Sequence, residues 1–230
     1  MASARPHRTN GRDRFLRFAA VVLSGAVLLP ACAESEFTYV QSSDRSAFFR
    51  VPRDWETFDR REILVHAGLS LSQSTNEAHP WLVAVDGSPQ PSVDHVLRLN
   101  DAPQYPVIDA RTIRLTATFH DQISLSGMRN FVYPVDRLEQ DGSAEVRSYS
   151  LVSFPGGFHG NRIEFDIILG GQYRVDADNE VMRVNQLTVL DPAASTMYLF
   201  MLRCESHCYR DHQSLIEQIT QSWTVKEPGR

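Results

Sequence analysis

The run Arg162-Ile-Glu-Phe-Asp-Ile-Ile-Leu169 decides how the C-terminal half of this 230-residue chain folds. Apolar residues at 163, 165, 167 and 169 alternate with acidic residues at 164 and 166, which is the period of a strand with one buried face. Turn residues such as Pro155-Gly156-Gly157 separate this run from similar ones. The other β-rich runs are Glu145–Phe154, Met182–Leu190 and Thr196–Arg203. Four consecutive strands joined by turns predict an antiparallel meander.

Helical patterns flank these strands. Tyr209–Trp223 carries an apolar stripe that predicts a helix covering one face of the sheet, and Ser92 before Val93 predicts a short capped helix. The expected elements of the middle region are a buried strand at Trp81–Asp86, a strand within Thr112–Thr118, a helical turn at Ser124–Asn130 and a strand at Phe131–Val135. The chain therefore reads as one α+β domain, with helices on a mostly antiparallel sheet.

Composition places the chain among soluble folded proteins, because 42% of its residues are hydrophobic and 22% are charged. The formal net charge is −5, but residues 1–32 hold five arginines against Asp13 alone. The remaining residues therefore carry a net charge of −9. A body this acidic is a poor candidate for nucleic-acid binding, which needs a basic surface.

The first 32 residues are typical of an export signal. A basic region ends at Arg17, a 14-residue apolar run follows from Phe18 to Ala31, and Cys32 closes it. That run is shorter than the roughly 20 residues of a membrane-spanning helix, which favours a cleaved signal. Leu29-Pro30-Ala31-Cys32 resembles the lipobox of bacterial lipoproteins, although Pro30 departs from the usual residue at that position. The alternative is an ordinary signal peptide that happens to have a cysteine near its end.

These features divide the chain into a lipoprotein signal peptide at 1–31, a tether at 32–44 and a single domain at 45–226. A first strand at Phe37–Gln41 is expected within the tether. The lipobox resemblance implies a diacylated Cys32 with a further palmitate-type chain on its amino group, and two chains give stable anchoring. We therefore expect the protein on the extracytoplasmic side of the cell membrane.

Both ends of the predicted domain resemble the PsbP-like superfamily, which includes Mog proteins and bacterial lipoproteins, here of the actinobacterial type. Phe49-Arg-Val-Pro52-Arg-Asp-Trp55 is similar to the family's first motif. Met197-Tyr-Leu-Phe-Met-Leu-Arg203 and Gln221-Ser222-Trp223-Thr224-Val225 are similar to its last strand and to the close of its last helix. The resemblance implies an α/β/α sandwich around an antiparallel sheet, with binding or assembly roles and no shared catalytic set.

Cys204 and Cys208 stand in an unusual cluster with His207 and His212. With Cys32 reserved for lipid, an even number of cysteines remains, and an exported compartment permits a Cys204–Cys208 disulfide. Free thiols are a second interpretation. A zinc or copper site using these cysteines and histidines is a third, although a second ligand pair at finger-like spacing is missing. We favour the disulfide and expect no metal and no cofactor.

Recognisable catalytic motifs are missing from the sequence, which has no Gly-x-Ser-x-Gly elbow and no His-Glu-x-x-His. His120 and Asp121 form a possible acid–base pair, but an exposed pair near a helix start is the simpler interpretation. The tryptophans Trp55, Trp81 and Trp223 are expected to pack in the core.

The sequence thus predicts a membrane-anchored lipoprotein of the cell envelope, whose domain is a non-catalytic binding or assembly module for an unknown partner. Two alternatives stay open: a carrier of a small hydrophobic ligand or glycolipid, and a hydrolase or metal-binding protein. A deep apolar cavity would favour the carrier, whereas histidine and carboxylate groups converging in a cleft would favour the enzyme.

Overall fold

The computed structural model describes residues 36–69, 80–169 and 181–228. Within these residues, strands form two sheets and short helices connect or cover them. The strands are β1 (Phe37–Gln41), β2 (Ala47–Pro52), β3 (Glu56–Phe58), β4 (Trp81–Asp86), β5 (Val107–Arg114), β6 (Ala144–Phe154), β7 (Phe158–Ile168), β8 (Val181–Leu190), β9 (Thr196–Glu205) and β10 (Thr224–Val225). The helices are α1 (Arg60–His66), α2 (Val93–Leu97), α3 (Ala117–Gln122), α4 (Leu125–Arg129), α5 (Val135–Gln140), α6 (Ser206–Asp211) and α7 (Gln213–Ser222).

The larger sheet has the order β3-β4-β5-β9-β8-β7-β6, and all its neighbouring strands are antiparallel. Its half from β6 to β9 is the meander that the alternating run predicted. The smaller sheet has the order β1-β2-β10 and packs with α6 and α7 on one face of the larger sheet. Helices α1, α2, α4 and α5 contact the larger sheet at hydrophobic clusters separate from the one under the smaller sheet. The prediction of an α+β fold, with an antiparallel sheet flanked by helices, is confirmed.

Strand β9 lies at the centre of the larger sheet, and both of its faces are buried. Phe200 and its even-numbered neighbours pack with Phe49 and Trp223 under the smaller sheet. The odd-numbered side chains lie on the opposite face, where Met201 packs beside Phe165 and where Met197 and Leu199 pack with Met128. Because side chains alternate along a strand, one apolar run supplies both layers of the core.

The tryptophans belong to this core, as the sequence predicted. Trp223 is 2% exposed, and its ring stacks on that of Trp81 with 6.4 Å between centroids. Trp55 packs against Gly87, where even a Cβ atom would stand 2.6 Å from its ring.

Several predicted boundaries shift. β1 occupies Phe37–Gln41 as expected, but it pairs along its whole length with β2, and Val40 is 8% exposed. Residues 37–44 are therefore part of the folded domain, whereas the sequence assigned 32–44 to a tether. The strand expected within Thr112–Thr118 begins earlier, at Val107, because it pairs with β4 and β9. Thr116 ends it by capping α3.

The strand expected at Phe131–Val135 is wrong. Pro134 begins α5, and the Asn130 side chain accepts a hydrogen bond from the Asp136 amide at 2.9 Å, which turns the chain into that helix. The single helix expected at Tyr209–Trp223 is two helices, α6 and α7, with a break at His212. Tyr209 is held at β8 by a 3.0 Å hydrogen bond from Asn185, so α6 follows the sheet before α7 begins.

Helices long and apolar enough to cross a membrane are missing from the part of the chain that the structure describes.

A charged network links three strands near the β6 edge. Asp166, on β7, is 3% exposed and accepts hydrogen bonds from Arg183 Nε at 2.6 Å and from Arg147 Nε at 2.8 Å. Burial acts to raise the pKa of Asp166, but the bonds from Arg183 and then Arg147 outweigh burial, and the pKa lies below its ordinary value. The aspartate therefore stabilises the folded state in its ionised form.

Substitution of Gly160 should destabilise the fold. A Cβ at this position would overlap the Thr188 carbonyl oxygen and stand 2.8 Å from the Val189 Cα on the facing strand. We expect Gly160→Ala to lower the free energy of unfolding in urea by about 1–3 kcal/mol, as overpacking does. The matched control is Gly127→Ala in α4, where the nearest atom is 3.5 Å away and where alanine should stabilise the helix by about 0.5–1 kcal/mol. Equal effects of the two substitutions would contradict this packing account.

Replacement of Asp166 should make stability less sensitive to acid. We expect Asp166→Asn to lose about 1–3 kcal/mol of unfolding free energy at pH 7, because both guanidinium groups lose their anionic acceptor. The native pKa is depressed, so this contribution is present above the unfolded-state pKa and is lost as pH falls through the folded-state pKa. The gap between wild type and variant, measured by urea unfolding, should therefore narrow from pH 7 to pH 2. Glu145→Gln, at a side chain that is 65% exposed, is the control. A gap that is constant with pH would refute the role of the ionised carboxylate.

Candidate functional site

A surface cleft of about 430 Å³ lies where β4 ends and β5 begins. Its walls are the turn after β4, helix α2 and the loop from Arg98 to Tyr105. Apolar atoms make up most of its surface, although most of its lining residues carry a polar or charged group. Its lining includes the side chains of Asp86, Ser88, Gln90, His95, Arg98 and Tyr105.

Asp86 forms the base of the cleft. It is the last residue of β4 and is fully buried, a position at which an unpaired carboxylate would be costly. One of its oxygens accepts the Ser88 amide at 2.8 Å, and the other accepts the Ser92 amide at 2.8 Å. The second oxygen also lies 2.7 Å from His95 Nδ1. The carboxylate thus fixes the turn after β4, the start of α2 and the imidazole together.

Arg203 holds the other end of α2. Its guanidinium is 1% exposed and donates to the His95 carbonyl at 2.9 Å, the Val96 carbonyl at 2.7 Å and the Asp101 carbonyl at 2.8 Å. Burial lowers the pKa of Arg203, while Tyr133 and Asp109 act in the opposite direction. A guanidinium satisfies several terminal carbonyls at once, because its donors spread in a plane.

Tyr133 supports the loop that follows α2. Its hydroxyl donates to the Leu99 carbonyl at 2.7 Å, and burial raises its pKa to about 12. The cleft wall therefore rests on two buried side chains, one from β9 and one from the segment before α5. This arrangement makes the wall preorganised.

The histidine of the cleft has one ring nitrogen, Nε2, that makes no hydrogen bond to any residue the structure describes. Since Asp86 accepts two backbone amides as a carboxylate, we assign the imidazole proton to Nδ1, which donates to Asp86, and Nε2 is left for a ligand. The His95 side chain is 44% exposed, so a ligand can reach it. Neutral His95 can accept a hydrogen bond from a hydroxyl or amide, and protonated His95 can donate one to a carboxylate.

Ser88 lies in the same cleft, so aspartate, histidine and serine side chains all line it. The Ser88 hydroxyl is buried, and it has no hydrogen-bond partner among residues 36–69, 80–169 and 181–228. It therefore does not form the serine–histidine hydrogen bond that activates a nucleophile. The Asp86–His95 pair orients an imidazole without an assembled nucleophile beside it.

A second depression of about 400 Å³ lies on the other side of Gln104 and Tyr105. Here His207 Nδ1 lies 3.0 Å from Glu205 Oε2, and His212 lines the same depression. Tyr105 is 39% exposed and stands between the two hollows. The mostly apolar cleft and this mostly polar depression therefore share one aromatic rim.

The Cys204–Cys208 disulfide that the sequence favoured is present. The Cα atoms of the two residues are 6.1 Å apart, within the range that a disulfide allows, and the bond joins β9 to α6. Both sulfurs are thereby removed as thiolate ligands, which contradicts the zinc or copper interpretation that used them. In the part of the chain that the structure describes, no three His, Cys, Asp or Glu side chains gather in a way that could hold a metal ion.

Among the remaining sequence candidates, His120 does not line the cleft. His120 Nε2 lies 3.2 Å from the Ala193 carbonyl oxygen. Cys32 lies outside the described residues, so its lipidation stays a prediction.

Sequence reasoning missed the cleft, because it took Asp86 as the end of a strand and His95 as part of a helix. One signal was available: an aspartate closes the otherwise apolar run Trp81-Leu-Val-Ala-Val-Asp86 just before a turn. An acidic residue in a buried position needs partners, and Ser88, Ser92 and His95 follow closely enough to supply them.

No protein-family model matches the chain, and no curated protein matches it. Solved structures similar to it include the cyanobacterial PsbP of Synechocystis, with 11% identity, a TM-score of 0.49 and coverage of 86% of this chain and 97% of that one. The Ran-binding protein Mog1p of Saccharomyces cerevisiae has 9% identity and a TM-score of 0.44, covering 82% and 95%. LpqN of Mycobacterium tuberculosis, involved in cell envelope biogenesis, has 16% identity and a TM-score of 0.42, covering 83% and 90%. At these identities the similarity concerns the fold alone.

Proposed function

We propose that this protein is an extracytoplasmic lipoprotein, anchored through Cys32, whose domain binds a protein partner without catalysis through the cleft beside Asp86 and His95. The observation that carries the binding role is the buried Asp86 carboxylate, which fixes a half-exposed imidazole in an otherwise mostly apolar cleft. A side chain held in place before binding loses little entropy when it binds.

A partner that approaches the surface fits this cleft better than an enclosed small ligand does. The cleft is open, with Tyr105 and the 63% exposed Arg98 side chain at its rim. Aromatic and arginine side chains of this kind are enriched among residues that dominate binding at protein interfaces. The unpartnered Ser88 hydroxyl supports a non-catalytic role over a hydrolase.

Anchoring rests on the lipobox resemblance alone, because the charge of the domain gives no second means of attachment. With a net charge of −9 outside residues 1–32, the domain would be repelled by anionic headgroups. Attachment would then depend on the acyl chains.

Replacement of Cys32 should release the protein from membranes. In a bacterial host fed a clickable fatty acid, we expect Cys32→Ala to lose the label and to appear in the soluble fraction or the medium, because no acyl chain can be attached. Cys204→Ala/Cys208→Ala is the matched control, since it removes the other two cysteines and should keep both label and membrane association. Label or membrane retention in Cys32→Ala would reject the anchor.

The cleft should lie at the partner interface. With a photocrosslinking residue at Gln90, which lines the cleft, we expect one defined protein adduct in cells, and no such adduct from the exposed Gln140 on α5. His95→Ala should reduce the adduct at least about tenfold, the effect of losing about 1.4 kcal/mol of binding free energy. His66→Ala is the matched control, because His66 also pairs with an aspartate at 2.8 Å and its side chain is 41% exposed, but it is not part of the cleft lining. An adduct unaffected by His95→Ala would exclude this cleft as the binding site.

A further inference from the structure

Strand β6 is the outer strand of the larger sheet and is exposed at its middle. Its side chains Tyr149 and Leu151 are 42% and 65% exposed. Among residues 36–69, 80–169 and 181–228, no strand pairs with the outer row of backbone N–H and C=O groups of β6, and proteins usually protect edges of this kind.

Features that protect an edge strand against pairing occur only near the N-terminal end of β6. The register with β7 shifts between Val146 and Ser148, as a bulge does, and Arg147 there is paired with Asp166. From Ser148 to Phe154 the register is regular, and this segment, Ser-Tyr-Ser-Leu-Val-Ser-Phe, has no charged residue and no proline. Seven residues are thus geometrically and electrostatically open to another strand.

A largely apolar patch adjoins this open segment, with the Arg129 guanidinium carbon 5.8 Å from the centre of the Tyr149 ring. Tyr149 and Leu151 lie opposite Ile163 and Asn161 on β7, so both side chains are on one face of the sheet. The Asn161 amide donates to the Leu125 carbonyl at 2.8 Å, which places the 40% exposed Leu125 of α4 on that same face. The edge therefore offers hydrogen-bonding groups and apolar side chains together.

The open segment is complementary to itself. In an antiparallel pair related by a two-fold axis at Ser150, Tyr149 lies opposite Leu151 of the second copy, and Ser148 lies opposite Val152 of the second copy. Each exposed apolar side chain then gains an apolar cross-strand neighbour, and these pairs stabilise sheets. This axis is perpendicular to the sheet, so the same face of each copy points in the same direction. The apolar patches of the two copies therefore become continuous.

Charge does not oppose this arrangement, although the domain is acidic. The paired segments are uncharged, and Arg147 would lie opposite Ser153 of the second copy while its own ion pairs with Glu145 and Asp166 stay intact. No like charges face each other across the strand pair.

We propose that β6 pairs antiparallel with β6 of a second copy of this chain, with the two-fold axis at Ser150, and that the protein thereby forms a dimer with a continuous sheet. This interface goes beyond the proposed partner cleft and uses different residues. Because it rests on one strand pair and a few apolar side chains, it belongs with small interfaces, and we expect a concentration-dependent dimer with a dissociation constant of about 1–100 µM.

Charges placed on the axis test the register. In analytical ultracentrifugation of the full chain, we expect wild type to dimerise, and Ser150→Lys and Ser150→Glu each to weaken the dimer at least about tenfold, because two like charges meet at the axis. Mixing the two variants should restore dimers, since lysine then faces glutamate. Thr57→Lys on β3, the opposite edge of the same sheet, is the matched control and should dimerise like wild type.

A cysteine at position 150 allows the proposed strand pairing to be tested by disulfide crosslinking. Residues that face each other across an antiparallel pair have Cα atoms about 4.5–5.5 Å apart, a distance that a disulfide can bridge. In a Cys32→Ala background, mild oxidation should therefore crosslink Ser150→Cys into dimers and leave Thr57→Cys monomeric. A wild type that is monomeric at about 1 mM, or dimers indifferent to Ser150→Lys, would overturn the proposal. Since Ser150 is exposed and far along the chain from Asp86 and His95, loss of this dimer with an intact Gln90 adduct would leave the partner cleft standing.

Discussion

A buried guanidinium must be supplied with hydrogen-bond acceptors, and Arg203 finds three of them in the backbone of one short segment. A five-residue helix such as α2 has little stability of its own. The position of α2 is fixed because its carbonyl groups accept hydrogen bonds from Arg203. Without them the guanidinium would be an unsolvated charge in the centre of the protein, a state much higher in free energy. Asp86 imposes the same kind of constraint at the other end of α2. Two opposite charges buried apart from each other therefore shape the cleft, each hydrogen-bonded mainly to the backbone, although Arg203 Nε has no partner among the residues that the structure describes.

This arrangement gives the cleft a rigid backbone wall and two side chains that can adjust to a ligand. Helix α2 and the following loop are tied to β4, β9 and Tyr133, whereas His95 and Tyr105 remain partly exposed. Binding to such a surface requires little reorganisation of the backbone. The adjacent Cys204–Cys208 bond closes a very short loop, so it adds less stability than long-loop disulfides do, but it joins α6 to the end of the same central strand.

Much of the fold was predictable because the larger sheet is built from local alternation. The β6 to β9 meander, the strand Trp81–Asp86 and the helix capped by Ser92 follow from patterns within a few residues. The strand wrongly expected at Phe131–Val135 shows the limit, since its aromatic and β-branched residues serve a loop that packs Tyr133 into the core. The site could not be predicted in the same way. Arg203 and the carbonyl groups that it binds are about a hundred residues apart, and backbone acceptors carry no sequence signal.

The two edges of the larger sheet are unequal, and this inequality would limit how far copies of the chain can add to one another. β6 has 11 residues, whereas β3 has three, two of them exposed. A sheet with two long edges can grow by adding copies at both, which leads to fibrils, but a sheet with one usable edge is consumed by a single two-fold contact. The shortness of β3 thus makes any pairing through β6 self-terminating, so that association would end at a closed pair and would not continue into an open polymer.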